Sequence, residues 1–293
     1  MGHARTFFTA WQRARDAGGA LVMRMEDLDP DRSRTVYAEA ALDDLRWLGI
    51  RWHEGPDRGG PFAPYVQSKR RSVYLDAWHK LLAGGFLFPC KCSRKDLEAA
   101  LTAPHESSSR RSADQRARKA EALDDEPVYP GTCRHREGHA PQLRGPTGVD
   151  LESPEGANWR FRVPDGESVE FKDLNLGPQR FVTGEDFGDF VVWRRDGVPS
   201  YQLACVADDA AMGITEVVRG ADLLKSTARQ ILLYRALGLR IPQWFHCHLV
   251  VDHNGRRLAK RHDALSLHAL RQRGLTPMKI LSADLPMDTI AHR

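Results

Sequence analysis

The spacing of apolar and polar positions predicts an alternation of helices and strands in the first third of the chain. Residues 3–17 are predicted to form a helix, because the Gly18-Gly19 pair that follows is a typical helix stop. Residues 20–25 are a short apolar run, which indicates a buried parallel strand. Further helices are predicted over residues 35–48 and 68–82, and the apolar face of the first comprises Ala38, Ala41, Leu42, Leu45 and Leu48. This alternation favours an α/β fold with a doubly wound sheet.

The pattern changes after residue 100. Residues 101–127 are polar and poor in large apolar side chains, which indicates a loop or a partly disordered insert. Residues 158–172 alternate as strands do, and residues 190–199 indicate a hairpin that turns at Asp196-Gly197. Residues 200–208 and 214–219 are apolar enough for buried strands or helices. A last helix is predicted over residues 222–237, with the core candidates Leu223, Ile231, Leu233, Tyr234 and Leu237.

Length and composition restrict the class of protein. A chain of 293 residues with 41% hydrophobic and 28% charged residues is typical of a soluble globular protein of about two domains. The net charge of +4 permits a nucleic-acid partner without requiring one. No membrane span or signal peptide is visible, and five cysteines are an odd number for a disulfide framework. We therefore expect a cytoplasmic protein with reduced thiols.

Three cysteines and a tyrosine form a candidate metal site. Cys90 and Cys92 lie in a Cys-Lys-Cys sequence, and Tyr129 precedes Cys133 in Tyr-Pro-Gly-Thr-Cys. Three thiolates and one further donor make a closed tetrahedral zinc site of the structural kind. Tyrosine is an unusual zinc ligand, so a water molecule or His135 is an alternative fourth donor, and a set of buried thiols is the alternative to any metal. Two other cysteines have apolar neighbours and are expected in the core: Cys205 and Cys247.

Two residues near the beginning of the chain are candidates for binding a substrate that carries a positive and a negative group. His3 stands at the start of the first predicted helix, where the helix dipole and unpaired N–H groups attract anions; a surface histidine is the alternative. Glu26 follows the first predicted strand, and a carboxylate at such a strand end can hold a substrate ammonium group. Asp27 and Asp29 alternatively cap the helix that follows.

Three further residues are candidates for binding anions or lining the site. Lys260 lies in a basic segment over residues 252–261, whose alternative is a solvated loop. Tyr201 and Arg219 border two strongly apolar stretches. An arginine at a strand end is costly unless it meets an anion, and a bidentate guanidinium would hold a substrate carboxylate. The alternative for Arg219 is an ion pair with one of three carboxylates: Asp208, Asp209 or Asp222.

Jointly, these segments resemble the glutamyl-tRNA synthetases of class I, from Gly2 to about Ser266. The resemblance rests on residues His3–Thr6, Arg24–Asp29, Leu45–Gly49, Gly55–Ser68, Thr215–Asp222 and Leu258–Arg261. It implies a Rossmann-type parallel sheet, an inserted zinc-containing α+β subdomain and a short helical C-terminal part. The domains expected are residues 1–88 and 173–243 for the two halves of the catalytic domain, 89–172 for the insert, and 244–293 for the Lys260 loop and C-terminal helices. No anticodon-binding domain is expected.

The resemblance also implies the ligands. It assigns L-glutamate to Glu26, Tyr201 and Arg219, and it assigns ATP with Mg²⁺ to His3 and Lys260 as catalytic residues. It assigns one structural zinc to the cysteine–tyrosine set: Cys90, Cys92, Tyr129 and Cys133. His3 corresponds to the second histidine of a His-x-Gly-His motif. Lys260 corresponds to the second lysine of a Lys-Met-Ser-Lys-Ser loop, whose first lysine and serine are Arg257 and Ala259 here.

The Cys-x-Cys pattern with Tyr129 resembles one branch of the family, the glutamyl-Q tRNA(Asp) synthetases. This branch implies a monomer that transfers activated glutamate to the queuosine base in the anticodon of tRNA(Asp). A fragment of a glutamyl-tRNA synthetase and an inactive zinc-containing tRNA-binding remnant are the alternatives. Family members carry an Arg-x-Ala-Pro-Ser-Pro-Ser/Thr-Gly segment on a first strand before His3, which this sequence lacks. We expect that segment to be encoded upstream of Met1.

Overall fold

The protein is described by a computed structural model over residues 2–29, 33, 35–93, 96, 128–134, 152–249 and 267–281. Its helices are α1 (Gly2–Asp16), α2 (Thr35–Trp47), α3 (Arg71–Ala83), α4 (Tyr201–Ala211), α5 (Leu224–Ala236), α6 (Leu267–Gln272) and α7 (Pro277–Leu281). Its strands are β1 (Leu87–Cys90), β2 (Asn158–Phe161), β3 (Ser168–Asp173), β4 (Gly177–Val182), β5 (Phe190–Trp193), β6 (Glu216–Gly220) and β7 (Gln243–Cys247).

These elements belong to two compact units. The first unit comprises residues 1–69, 216–222 and 243–293, and the second comprises residues 70–215 and 223–242. Among the described helices, none reaches the length and apolarity that a membrane crossing requires.

Helices α1 and α2 of the first unit confirm the helices predicted there. Helix α1 ends where Gly18 adopts a φ of 62°, and the Gly19 N–H donates to the carbonyl of Ala14 at 2.8 Å. Glycine thus terminates the helix as predicted. The predicted apolar face is correct at Leu42 and Leu45 of α2 and at Leu48, which directly follows the helix, and all three are buried. It is wrong at Ala41, which is exposed together with Val36 and Tyr37, because the first half of α2 lies at the surface.

The predicted strand over residues 20–25 is extended but is not a continuous strand. Val22 forms a single parallel bridge with Glu54, and Met25 forms one with Val66. The amide of Met25 donates to the carbonyl of Tyr65 at 2.9 Å, so the segment runs between two parallel neighbours. Both neighbours flank the loop from Gly55 to Pro64, whose glycines and prolines interrupt regular pairing. The parallel direction is as predicted, whereas the regular ladder is not.

The parallel pair β6–β7 completes the sheet content of the first unit. Its register runs from Glu216 opposite Gln243 to Gly220 opposite Cys247. Arg13 of α1 donates two hydrogen bonds to Glu216, at 2.6 and 2.9 Å, and this bidentate contact fixes the helix on the strand. The core of this unit contains Ala4, Met23, Leu42, Leu45, Leu48, Ile50, Trp52, Leu270 and Ile280.

The second unit contains an antiparallel sheet in the order β1-β2-β5 and a separate hairpin, β3–β4. Strands β2 and β3 confirm the prediction for residues 158–172. After β5 the chain turns back through Gly197, which has a φ of 82°, and Trp193 bridges Pro199. This turn confirms the one predicted at Asp196-Gly197.

Aromatic rings form the core of the second unit. Trp78 of α3 meets Trp159 of β2 edge-on, with ring centroids 5.0 Å apart. Phe161 stacks on Phe190 of β5 at 5.4 Å. Helix α3 confirms the third predicted helix, and residues 200–208 and 214–219 prove to be helix α4 and strand β6. Helix α5 confirms the last predicted helix with three of its five core candidates fully buried: Ile231, Leu233 and Tyr234.

A buried ion pair joins the residue that precedes α3 to helix α4. The Nε of Arg70 donates to Asp208 at 2.6 Å, and the hydroxyl of Tyr74 donates to the same carboxylate at 2.9 Å. The side chains of Arg70 and Asp208 are 5% and 0% exposed. A carboxylate this deeply buried depends on its donors, because its own hydration is lost.

Removing the charge of this carboxylate should destabilise the second unit. We expect Asp208→Asn to lower the free energy of unfolding by about 3 kcal/mol, since Arg70 would be left buried beside a neutral amide. Urea unfolding followed by tryptophan fluorescence measures the effect. The matched control is Asp43→Asn, which loses an exposed pair with Arg46 and should change stability little. Equal effects of the two substitutions would contradict the prediction.

Candidate active site and metal centre

Three thiols and a phenol meet at the end of β1. The sulfur atoms of Cys90, Cys92 and Cys133 lie within 4.8 Å of one another, and those of Cys92 and Cys133 are 3.6 Å apart. The hydroxyl of Tyr129 is 3.5 Å from the Cys90 sulfur and 3.8 Å from the Cys92 sulfur. The structure therefore brings together the four residues that the sequence assigned to one site, and their role as metal ligands stays a prediction. His135 lies outside the described residues.

The backbone explains why the motif brings these groups together. Cys90 is the last residue of β1, and Cys92 follows two positions later. Tyr129 and Cys133 lie on either side of Gly131, whose φ of 81° turns the chain, and the Cys133 N–H donates to the Tyr129 hydroxyl at 2.7 Å. The backbone at Gly188 approaches this turn closely, since a Cβ there would lie 3.1 Å from the Tyr129 nitrogen.

Burial changes the acidity of the cluster. It raises the pKa of the Cys92 thiol to about 11, and hydrogen bonding with Cys133 adds to the effect. Burial, followed by the hydrogen bond with Cys90, also raises the pKa of Tyr129 far above its ordinary value. Burial acts in the same direction on Cys133, but hydrogen bonds with Tyr129 and the Lys91 backbone outweigh it and lower the pKa. A bound dication would have to displace protons from this site.

The spacing fits a tetrahedral metal ion. With Zn–S bonds of about 2.3 Å, two thiolates of a zinc site lie roughly 3.8 Å apart, close to the 3.6 Å between Cys92 and Cys133. Thiolates are the ligands that favour zinc over magnesium or calcium. Cys90, Cys92 and Cys133 would hold the ion, and Tyr129 is placed to be the fourth donor.

A buried arginine covers the phenol of this cluster. The guanidinium carbon of Arg160 lies 4.1 Å from the centroid of the Tyr129 ring, and its Nη1 donates to the carbonyl of Asp189 at 2.8 Å. Burial raises the pKa of the Asp189 carboxyl, although an N–H from Val163 and nearby arginines oppose the shift. Sequence reasoning missed Arg160; a cation inside the alternating strand 158–161 was the available signal.

Glu26 stands where the sequence predicted, directly after the last bridge of residues 20–25. It is exposed, and its carboxylate accepts a hydrogen bond from Arg24 at 3.1 Å. The sequence offered helix capping as the alternative role of Asp27. Asp27 does have a structural role, but it does not cap the helix that follows. Its carboxylate accepts from the N–H of Ser68 at 2.8 Å and from the Ser68 hydroxyl at 2.6 Å. Asp27 therefore holds the 3₁₀ turn Gln67–Lys69 rather than the helix that follows it in sequence.

Arg219 lies in β6 of the first unit with only 8% of its surface exposed. Its Nε donates to Nε2 of His246, a fully buried residue of β7, at 3.3 Å. Two of the three carboxylates suggested as partners belong to the second unit and have donors there. Asp208 binds Arg70, and Asp209 accepts from Tyr234 at 3.5 Å.

Two of the other candidates lie at the N-terminal ends of helices. Tyr201 is the first residue of α4 in the second unit and is 37% exposed; the side chain of its neighbour Ser200 caps the helix by accepting from the Leu203 N–H. His3 lies in the first turn of α1. Lys260 and its basic segment lie outside the described residues. Cys205 is buried as predicted, whereas Cys247 is only half-buried because it ends the short strand β7.

Comparison with known proteins identifies the family. The sequence matches the family described as "tRNA synthetases class I (E and Q), catalytic domain" over residues 1–139 and 148–285. The chain belongs to this family. It is therefore an enzyme of the aminoacyl-tRNA synthetase, or ligase, type, and the class I synthetases use ATP with Mg²⁺.

This class I synthetase is similar to proteins that carry two different names. It is 48% identical to the Glutamyl-Q tRNA(Asp) synthetase of Symbiobacterium thermophilum, over 96% of this chain and 80% of that protein. It is 43% identical to the protein of the same name from Nitratidesulfovibrio vulgaris, over 96% and 79%. It is 41% identical to Glutamate--tRNA ligase 2 of Nitrosococcus oceani, over 94% of this chain and 54% of that protein.

A solved structure supports the fold. The class I synthetase chain resembles the glutamate-tRNA synthetase of Elizabethkingia anophelis with a TM-score of 0.70 and 25% sequence identity, over 94% of this chain and 51% of that one. This likeness confirms the α/β class predicted from the sequence. The zinc-containing insert and the division into four domain segments stay predictions.

Proposed function

We propose that this class I synthetase activates L-glutamate with ATP and Mg²⁺ and transfers it to queuosine in the anticodon of tRNA(Asp). The observation that carries the proposal is the 48% identity to the Glutamyl-Q tRNA(Asp) synthetase of Symbiobacterium thermophilum over 96% of this chain. Glutamate as the amino acid has wider support, because the relatives named glutamate--tRNA ligase share it.

The first unit supplies two complementary charges for glutamate. In this proposal the exposed carboxylate of Glu26 holds the α-ammonium group, and the buried guanidinium of Arg219 holds the side-chain carboxylate. Each contact is a charge-assisted hydrogen bond, the stronger kind in proteins. The resemblance to the glutamyl-tRNA synthetases assigns Tyr201 to glutamate as well.

In this proposal ATP is held by one residue near the beginning of the chain and one in its last fifth. His3, in the first turn of α1, lies where a helix N-terminus attracts phosphate, and no acidic side chain opposes it in that turn. Lys260 contributes a cation that stabilises charge on the phosphates as pyrophosphate leaves. The α-carboxylate of glutamate attacks the α-phosphorus, which gives glutamyl-adenylate and pyrophosphate.

Zinc has a structural role in this proposal. Three donors would come from the cysteines of the cluster and a fourth from Tyr129, which would leave no position open for a substrate. Closed sites of this kind stabilise a fold rather than catalyse a reaction. The ion would join the end of β1 to the turn at Gly131.

The first test is glutamate-dependent exchange of pyrophosphate into ATP, without tRNA. We expect exchange with glutamate and little with aspartate or glutamine, because only glutamate places a carboxylate at the correct distance for Arg219. Failure of every amino acid to support exchange would contradict glutamate activation by this chain without tRNA.

The second test separates the possible acceptors. Radioactive glutamate is offered to native tRNA(Asp) with queuosine, to the same tRNA lacking its 3′-terminal adenosine, and to an unmodified transcript. Acceptance by the first two substrates alone supports transfer to the modified base. Acceptance that requires the 3′ adenosine indicates an ordinary glutamyl-tRNA ligase, and tRNA binding with neither exchange nor transfer indicates an inactive binding remnant.

A further inference from the structure

Arg219 is held by a histidine that lies opposite it in the parallel pair of β6 and β7. The two residues are register partners, and the Nε of Arg219 donates to Nε2 of His246 at 3.3 Å. His246 is 0% exposed and Arg219 is 8% exposed, so water competes little for this contact. A polar ring at a fully buried strand position calls for a reason beyond packing, because an aliphatic residue would fill the space without a desolvation cost.

The hydrogen bond indicates which tautomer the neutral ring adopts. Because Nε2 accepts, the neutral imidazole of His246 carries its proton on Nδ1. A doubly protonated ring would direct an N–H at the guanidinium of Arg219, which has no acceptor. The contact therefore joins one permanent cation to one neutral acceptor.

The same hydrogen bond restricts how Arg219 can bind a carboxylate. A guanidinium can grip a carboxylate through two forks, one that includes Nε and one formed by the two Nη groups. The ring of His246 accepts a hydrogen bond from the Nε–H of Arg219, so the fork that includes Nε is used by this contact. The fork formed by the two Nη groups is the one that can bind a carboxylate. That fork presents two parallel N–H donors, which match two carboxylate oxygens and clash with the NH₂ group of a carboxamide.

We propose that His246 is a positioning residue that sets the plane of Arg219 and so makes the site select a side-chain carboxylate over a carboxamide. The inference rests on the proposed function, in which Arg219 holds the side chain of glutamate. Without the His246 acceptor, Arg219 rotates about its last bonds and can offer a single N–H to the oxygen of glutamine. His246 itself does not touch the substrate.

Two substitutions of equal length separate this role from packing. In His246→Gln the side-chain oxygen reaches about the position of Nε2 and keeps an acceptor, whereas His246→Met has a similar shape without a good one. His248→Met is the control on the same segment, because His248 is exposed. Each variant is measured by pyrophosphate exchange with glutamate, with glutamine and with varied ATP.

We expect His246→Met to raise the KM for glutamate by about tenfold, the effect of one hydrogen bond to a charged group. The preference for glutamate over glutamine should fall by a similar factor, while the KM for ATP and kcat change less than about twofold. His246→Gln should restore most of the preference, and His248→Met should resemble the unaltered protein. Equal losses in the Gln and Met variants, or an unchanged preference in His246→Met, would overturn the proposal.

A second measurement tests the contact without any reaction. The Nε–H proton of Arg219 is assigned by its absence from the NMR spectrum of Arg219→Lys, and its exchange with water is compared among the variants. We expect faster exchange in His246→Met than in His246→Gln. Unchanged exchange in His246→Met would show that His246 does not hold Arg219. Absence of glutamate-dependent exchange in the unaltered protein would instead count against the proposed function, so the two failures are distinguishable.

Discussion

Arg219→Met should raise the KM of the protein for glutamate by at least about 100-fold, with a smaller effect on the KM for ATP. Truncating one partner of a buried, charge-assisted contact typically costs 2–5 kcal/mol, which corresponds to roughly 30- to several-thousand-fold in affinity. The loss should be large because Arg219 lies buried in β6, where water cannot replace its donors. Initial rates of pyrophosphate exchange at varied glutamate measure the effect.

A surface arginine provides the control for that substitution. Arg235 of α5 pairs with Glu167 at 2.8 Å, and its side chain is 45% exposed. Arg235→Met removes the same charge and adds the same side chain, but it should leave both KM values nearly unchanged. If Arg219→Met matches Arg235→Met in the glutamate titration, glutamate is not held by Arg219.

Cys133→Ser should lower the affinity of the protein for zinc by about 100-fold or more. Structural zinc sites contribute about 10–16 kcal/mol of binding free energy through four ligands, so the loss of one thiolate removes a substantial share. The unaltered protein should bind one equivalent of zinc in a chelator competition. With Co²⁺ in place of zinc, the charge-transfer absorption from thiolate to metal should decrease by about a third, from three sulfurs to two.

Two further variants make the metal prediction specific. Cys205→Ala removes a buried thiol of α4 that is not among the cysteines of the cluster, and it should keep full metal affinity. Tyr129→Phe removes only the hydroxyl and should weaken binding less than Cys133→Ser if the phenol is the fourth donor. Stoichiometric zinc in Cys133→Ser would contradict the site, and full affinity in Tyr129→Phe would leave it with three thiolates and another donor.

The helices that the sequence predicted correctly depend on signals within a few neighbouring residues. Helices α1 and α2 follow from side-chain periodicity and from the Gly18 stop, which depend on neighbours within a few positions. The cysteine cluster was suggested by two short motifs with cysteines at close spacing, although many residues separate the motifs. The strand over residues 20–25 was predicted less well, because its ladder depends on residues 53–54 and 65–67, which lie beside an irregular loop.

Partners that come from distant segments were not predictable. Asp27 accepts from Ser68 instead of capping the next helix, and nothing near either residue in sequence indicates that choice. His246 was missed for the same reason, since its contact with Arg219 depends on the register of β7 with β6. In each case the missing information was the pairing of two segments.

The metal centre has a consequence for how the chain tolerates change in length. A metal bound by Cys90, Cys92, Tyr129 and Cys133 would close a loop over residues 93–128 as a covalent cross-link does. Closing a loop of about 40 residues removes roughly 4 kcal/mol of conformational freedom from the unfolded chain. Doubling such a loop changes that figure by only about 0.6 kcal/mol. The length and sequence of this segment can therefore change during evolution at little cost in free energy. A foreign peptide could likewise be inserted there while the four metal ligands keep their geometry.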